Sequence, residues 1–519
     1  MKKLILTLFA IHMLYYVSLA QFQNVMIGDE HFPEEPSIII NPKNPDQLVA
    51  GSNLDNYYVS DDGGYSWTSG RLYSQQYGVY GDPCIIVDTA GSFYFFHLSN
   101  PQQGSWLDRI VCQKFDFDGQ TWNDGSYMGL NGDKDQDKQW AVVDSATNTI
   151  YVTWTQFDEY GTSDPSKYTN IMFSKSTDGG QTWSDAVRIN EVSGDCVDSD
   201  NTVEGAVPAV GPDSEIYVAW SGPEGIVFDR SLDGGETWLD EDIFVADQPG
   251  GWDYDIPGIM RCNGLPVTCC DVSNSPYRGT IYVNWTDQRN GTDDTDVWVA
   301  KSTDGGNTWS EPLRVNDDQP GKQQFLTWMT VDGANGDVYL VFYDRRNYND
   351  INTDVYIARS TDGGETFENI LISESPFYPM SNVFFGDYNN ITAYDGQVRP
   401  IWTRLHNGSL SIWTAIIDVS VGMPDLARKI PFTLEQNYPN PFRETTYFSY
   451  ELQEQSVVTL TVFDVYGRPV AILKDHTPEP KGKYIEKFDP KQYGLSSGVY
   501  YYMLRGQNQV QKRQMVFVE

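Results

Sequence analysis

The chain has 519 residues, enough for one large domain and a smaller one. Lys and Arg total 35 against 72 Asp and Glu, a formal charge of −37. A field of that sign repels phosphate backbones, and no basic cluster offsets it, so nucleic acid is excluded as a partner. Tyr, Trp and Phe make up 14% of the residues and Gly is frequent. With short apolar runs between turn residues, that composition predicts sheets and turns.

The N-terminus reads as a secretory signal peptide over residues 1–20. Lys2 and Lys3 precede an apolar run from Leu4 to Leu19, and Ser18-Leu19-Ala20 forms a small-residue cleavage site. The run is shorter than the ~20 apolar residues of a membrane span. No later segment is long and apolar enough to be a spanning helix. In an exported chain, six cysteines (84, 112, 196, 262, 269 and 270) suggest disulfides. Cys84 and Cys112 fall within one repeat, where they could bridge neighbouring strands. No CxxC pair exists, which argues against a zinc site.

From residue 21 onward a hairpin pattern recurs. Its seven copies begin at "PSIIINPKNPDQLVAGS", "DPCIIVDTAGSFYFFHLS", "KQWAVVDSATNTIYVTWT", "VPAVGPDSEIYVAWS", "LPVTCCDVSNSPYRGTIYVNWT", "LTWMTVDGANGDVYLVFYD" and "DYNNITAYDGQVRPIWTR". A third strand, a Ser-x-Asp turn and a fourth strand follow the first six. The turns read SDDGGYSW, STDGGQTW, SLDGGETW, STDGGNTW and STDGGETF, with a worn copy, FDFDGQTW, in the second repeat. Four short antiparallel strands per unit predict an all-β, seven-bladed β-propeller over residues 21–420. Six blades are the alternative, if the first and last segments share one blade. In the turn, Asp62, Asp178, Asp233, Asp304 and Asp362 accept backbone N–H groups, glycines supply left-handed backbone, and the closing aromatic packs beside the neighbouring blade. This is a structural staple rather than a ligand turn.

Ser-x-Asp-x-Gly-x-Thr-Trp resembles the Asp-box, or BNR repeat, of the sialidase-like propeller superfamily, over residues 27 to 420. The resemblance implies a secreted or cell-surface propeller that binds or acts on an extracellular glycan or glycoprotein. The substrate would be an anionic glycan and the activity sialidase-like glycoside hydrolysis, with a non-catalytic adhesion propeller as the alternative. No cofactor is implied. In that superfamily three arginines grip the substrate carboxylate, a Tyr/Glu pair supplies the nucleophile, and an Asp is the acid/base. Here the segment where the first arginine belongs is "EEPSIIINP", and no arginine precedes Arg71. That departure argues against a true exo-sialidase.

Propeller geometry places the Ser-x-Asp turns on one face and the loops before strand one and after strand two on the other. Before strand one stand Glu35, Asp82, Asp137, Glu204, Gln323 and Asp387. Converging carboxyls can share a proton, hold a cation or act as acid and base, which makes Asp387, Glu204, Asp137 and Asp82 the candidate catalytic set. Tyr388, beside Asp387, is the candidate tyrosine. After strand two come Arg289, Arg346 (with Arg345) and Arg404, on three successive blades, a candidate anion grip. "DKDQD" alternates Asp133, Asp135 and Asp137 as calcium loops do, though without an EF-hand's glycine and distal Glu, and is the candidate structural calcium site. "DDTD" (293–296) is a second.

A linker, "VGMPDLARKI" (421–430), leads to residues 431–519, which read as a small Ig-like β-sandwich. Asn437-Tyr-Pro-Asn-Pro-Phe442, Asp464 to Gly467, Leu495 to Tyr500 and the Lys512 to Glu519 tail resemble the C-terminal sorting domain of the type IX secretion system of Bacteroidetes-type bacteria. That resemblance makes the secretion machinery a partner through residues 431–519 and implies export to the cell surface or beyond.

Overall fold

A computed structural model describes residues 22–117, 120–406, 408–419, 432–452, 455–464, 468–506 and 509–518. The expected signal peptide and linker lie outside the described residues. The chain divides into two compact units, with the boundary at Val421 and Gly422.

Among the described residues, seven antiparallel sheets make up the first unit. Their innermost strands are Ser37–Ile40, Cys84–Val87, Asp135–Val143, Glu204–Val210, Val267–Cys270, Gln324–Val331 and Asn390–Tyr394. Each touches the next in chain order, and the last touches the first, so the sheets are blades around a ring. Blades are numbered here by these strands, 1 to 7. Closure is made by the N-terminal strand Gln23–Gly28. It pairs with Ser409–Asp418 and becomes the outermost strand of blade 7. Blade 1 keeps four strands of its own, so the shared last sheet does not lower the count to six.

The second strand of each blade shows why the ring is needed. Ile150–Phe157 (IYVTWTQF) is buried at every position, and Ile281–Asp287 and Val338–Asp344 are the same. Strict alternation is absent because both faces of a blade are covered by neighbours. Trp154, Trp220, Trp285 and Trp402 recur there, fully buried.

Register fixes the two ends of the ring. In blade 4, Glu204 pairs with Ser221 at one end, while Val210 pairs with Ile216 and Ile216 with Ser231 at the other. The Ser-x-Asp turns therefore sit opposite the starts of the inner strands. In blade 5, Asp304 takes the Thr308 N–H at 2.9 Å and its hydroxyl at 2.7 Å, while Ser302 Oγ accepts the Gly306 N–H at 2.9 Å. Gly305 and Gly306 have φ of 75° and 87°, which excludes a side chain. The same bonds recur around Asp62, Asp178, Asp233 and Asp362. The closing rings meet the preceding blade edge-on: Trp183 on Phe96, Trp238 on Phe173 and Trp309 on Phe228, at 5.8, 5.0 and 5.1 Å.

A second staple, absent from the sequence reading, runs the other way. Lys175 and Lys301 reach the next blade's turn at Gly234 O (2.7 Å) and Gly363 O (2.8 Å), and Arg230 reaches Gly305 O. Arg399 of blade 7 does this for blade 1, donating to Gly63 O at 2.7 Å, and also binds Ile417 O and Asp418.

All six cysteines are unpaired thiols, which corrects the disulfide expectation. Cys84 and Cys112 both pair with Phe96, one on each side. Two strand spacings, about 9–10 Å, separate them, beyond the ~7 Å that a disulfide spans.

The second unit is a sandwich. A three-stranded sheet (Phe432–Leu434, Thr446–Leu452, Gly482–Phe488) and a four-stranded sheet (Pro469–Glu479, Ser456–Phe463, Gly498–Gly506, Gln509–Phe517) share one core that includes Phe448, Leu460, Tyr502 and Phe517. The Asn437–Phe442 stretch locks its two ends together. Asn437 N donates to Tyr502 Oη at 2.6 Å, and Asn440 Oδ1 accepts the Val516 N–H at 2.8 Å.

Arg399 is only 1% exposed, and its loss strands buried carbonyls at the closure. Replacing it with Met is expected to destabilise the propeller by about 3 kcal/mol, the cost of two or three unsatisfied acceptors. Urea unfolding of the full chain checks this; an unchanged midpoint rules out the closing role.

Candidate functional site

Inner strands do not begin as straight ladders. Register breaks between Asp137 and Trp140, Glu204 and Val207, and Phe325 and Trp328. A left-handed residue stands at this point in six blades: Glu35 (φ 53°), Asp82 (52°), Lys138 (52°), Gly205 (80°), Leu326 (49°) and Gly386 (93°). Such a bulge turns the strand and re-aims the side chains around it. For side chains other than glycine the conformation is costly, and such strain collects at functional sites.

The bulges gather charge at the mouth of the ring. Lys138 Nζ lies 2.7 Å from Asp387 Oδ2 and 3.3 Å from Asp82 Oδ2, linking blades 3, 7 and 2. Arg261, from the segment before blade 5, binds Asp387 with both arms, Nε to Oδ1 at 2.8 Å and Nη2 to Oδ2. Asn263 Nδ2 donates to Asp387 O at 2.9 Å. Glu35 Oε1 accepts the Asp387 N–H at 3.0 Å, and Asn53 Nδ2 donates to Glu34 and Glu35. Trp140, Trp328 and Tyr388 close the floor, with ring centres 4.2, 5.1 and 6.0 Å apart.

The carboxyls here divide into two states. Burial would push Asp387 up, but Lys138 and Arg261 outweigh it and hold the group at about 2. Glu34 is pushed by burial up to about 8, against its Asn53 hydrogen bond. Burial carries Asp137 to about 7 despite Lys138. Glu35 and Glu204 also rise well above the carboxylate range, burial first and neighbouring acids after it. Glu204 is fully buried, and among the described residues neither of its oxygens has a partner. It lines a narrow cavity of about 20 Å³ with Lys138, Arg261, Asp198 and Asp387, next to a second of about 30 Å³ over Trp140 and Tyr388. Each has room for a water molecule, not a sugar ring.

Of the residues singled out in the sequence, the structure brings Asp82 and Asp387 onto one ammonium and puts Glu204 in the same cavity as Asp387. Asp137 precedes Lys138 and feels the charges of Lys138, Asp82 and Asp198. Gln323 stands apart, accepting from Arg345 at 3.0 Å. The three arginines share no partner. Arg289 is bonded to Asp287 (2.9 Å) and lies over Trp298 at 4.3 Å. Arg346 is bonded to Asp344 (2.8 Å) and lies over Tyr356 at 4.3 Å. Arg404 is buried over Trp413 at 5.0 Å. Each guanidinium thus stacks on a ring of its own blade's third strand. Asp135 accepts the Tyr160 N–H at 2.9 Å, Asp137 that of Lys138 at 2.8 Å, and Asp133 is exposed. Asp294 takes the Gly321 N–H and Asp296 pairs with Arg314. Among the described residues, no group of three or more His, Cys, Asp or Glu side chains is placed to hold a metal ion.

Lys138 and Arg261 escaped the sequence reading. Lys138 follows Asp137, and only the bulge swings it inward. For Arg261 the one signal was a lone basic residue in the long acidic stretch "DQPGGWDYDIPGIMRCNG".

Residues 436–519 match the secretion system C-terminal sorting domain family. The chain is a secreted protein of the type IX route, directed to the cell surface or the extracellular space. No curated protein matches the sequence. Among solved structures, the chain resembles a protein of unknown function from Dyadobacter fermentans DSM 18053 (12% identity, 77% of this chain and 98% of that one, TM-score 0.44). It also resembles a Hadza microbial sialidase (18%, 72% and 75%, 0.41) and the Penicillium chrysogenum alpha-L-arabinanase complexed with arabinobiose (13%, 76% and 97%, 0.41).

Lys138→Met leaves Asp387 and Asp82 without their ammonium. Asp387's folded value, about 2, lies below the ordinary 3.8, so its contribution to stability is full above pH ~4 and fades as pH falls through 2. The variant is expected to lose about 3–5 kcal/mol at pH 7, as for other broken buried pairs, and progressively less toward pH 2. Urea midpoints measured across that range check it; a pH-independent loss excludes the charge role.

Proposed function

We propose that the propeller is a secreted glycoside hydrolase acting on a neutral glycan at the charged mouth of the ring. The observation that carries this reading is the opposed environment of two carboxyls in one cavity: Asp387 held ionised by Lys138 and Arg261, Glu204 pushed well above the carboxylate range by burial, with both oxygens unpartnered among the described residues. Environments that drive carboxyls apart in this way suit one to donate a proton and others to stay anionic.

In this reading Glu204 gives its proton, relayed by a water in the narrow cavity, to the glycosidic oxygen as the C–O bond breaks. Asp137, at about 7, takes a proton from the water that adds to the sugar carbon. Asp387 keeps the site anionic beside the developing positive charge, and Lys138 and Arg261 hold it in place. The sugar ring sits above the small cavities, against Arg261, whose side chain is 44% exposed. A neutral substrate is favoured over an anionic one because acids outnumber cations here. The arginines expected to grip a carboxylate are engaged elsewhere: Arg289 and Arg346 with their own aspartates, Arg404 buried against Trp413 and bonded to Ser375.

A second reading, a binding propeller without turnover, draws on the narrowness of the two cavities, which admit no sugar ring to the level of Glu204.

Glu204→Gln keeps the shape and removes the proton. On a panel of neutral polysaccharides it is expected to lower turnover by at least ~100-fold, the low end for general acid catalysis, with binding retained. The wild-type rate should fall on the acid side as Asp137 protonates near pH 7. Wild-type binding without release of reducing ends on any glycan selects the second reading.

A further inference from the structure

The loop after the second strand of blade 2 carries a tryptophan with no packing role in the core. Trp106 is 45% exposed, and its ring meets Tyr80 edge-on at 5.2 Å and Tyr160 at 6.1 Å. Tyr80 is itself 36% exposed. Exposed aromatic rings that touch one another within a polar rim mark a binding surface in a way that a single exposed ring does not.

The platform is anchored. Leu107, next to the tryptophan, is 2% exposed in the buried core and held at φ 57°. Its N–H donates to Ser99 O at 3.0 Å, and its carbonyl accepts the Gln136 N–H of blade 3 at 2.7 Å. Asp108 and Arg109 follow as a 2.7 Å ion pair, with the guanidinium over Tyr127 at 4.8 Å. A left-handed leucine is rare, and here it turns the chain so that the leucine goes inward and the tryptophan outward.

The platform is also continuous with the charged mouth on two sides. Tyr80 stands two residues before Asp82, which holds Lys138. Tyr160 donates its hydroxyl to Asp198 at 2.6 Å, and Asp198 lines the cavity that contains Glu204 and Asp387. Ring faces are electron-rich and attract the polarised C–H groups on a sugar's face, while flanking carboxylates accept its hydroxyls. The formal charge of −37 repels anionic lipid and nucleic acid from the same surface.

We infer that Trp106 and Tyr80 form an outer sugar subsite, so that the ligand is a chain of neutral sugars running from the mouth of the ring across the rim of blades 2 and 3. This rests on the reading of the mouth as a glycan site and adds the length of the ligand to it. A single sugar occupies the mouth alone; a longer chain gains the platform.

The test uses the full chain in the Glu204→Gln background, so that nothing is consumed. Neutral oligosaccharides of one, three and six units, from arabinan, xylan and β-glucan, are titrated calorimetrically into it and into the same protein with Trp106→Ala or Tyr80→Ala added. Both positions are exposed, and unchanged thermal midpoints verify folding. Affinity is expected to rise with length in the parent, and Trp106→Ala is expected to remove about tenfold from the six-unit ligand and nothing from the shortest that binds. Equal losses at every length, no loss, or no binding of any oligosaccharide by the parent overturns the subsite. So does a concentration-dependent dimer that Trp106→Ala abolishes, which assigns the patch to self-association. If the length effect behaves as expected but wild-type turnover survives Glu204→Gln, the subsite stands and the acid assignment falls. If turnover is lost and the length effect is absent, the reverse holds.

Discussion

A four-stranded sheet with apolar side chains on both faces has nowhere to stand in water. Every blade of this propeller has that problem, because strands such as Ile150–Phe157 are buried at each position. Stacking solves it only if the stack has no ends, so the ring must close. The N-terminal strand Gln23–Gly28 closes it by entering the last blade, and Arg399 fastens that blade to the turn of the first. The repeated turns serve the same constraint. Their aromatic rings press back on the preceding blade while Lys175, Arg230 and Lys301 reach forward to the next.

Closure also creates the mouth. Seven inner strands starting around one axis bring their first residues together whether or not their charges agree. Here they do not agree, since Glu34, Glu35, Asp82, Asp137, Glu204 and Asp387 all come near one another. The protein resolves the conflict in two ways. It places Lys138 and Arg261 against Asp387 and keeps that group ionised, and it buries Glu34, Glu35, Asp137 and Glu204, which raises each above the ordinary carboxylate range. A protonated acid beside a fixed anion is then a by-product of the packing, and it is the feature on which the proposed chemistry draws.

The arginines show how far a pattern in the sequence can mislead about place. Arg289, Arg346 and Arg404 recur at matching points of successive blades, which suggested a common anion. They recur because each of these blades repeats one local arrangement, a guanidinium placed over the aromatic ring of its own third strand and, in two blades, bonded to an aspartate two residues earlier. Periodicity around a ring puts equivalent residues at equal distances from the axis, and only those at the axis converge. The cysteines make a related point: Cys84 and Cys112 are close in the chain's folding unit, yet Phe96 stands between them.

Local interactions were legible without coordinates. The Ser-x-Asp turn closes on its own residues within eight positions, so its hydrogen bonds, its glycines and its place between third and fourth strands followed from the letters alone. The blade repeat and the C-terminal sorting domain followed too, since each is carried by contiguous motifs. The acids before the inner strands were also found, because a propeller assigns a direction to every strand start. What the tertiary structure decided was which side chains meet across blades. Lys138 becomes the hub only because a left-handed bulge turns it inward, and Arg261 reaches Asp387 from 126 positions away. Protonation depends on burial and on neighbours from other blades, and neither is a property of any short stretch of chain.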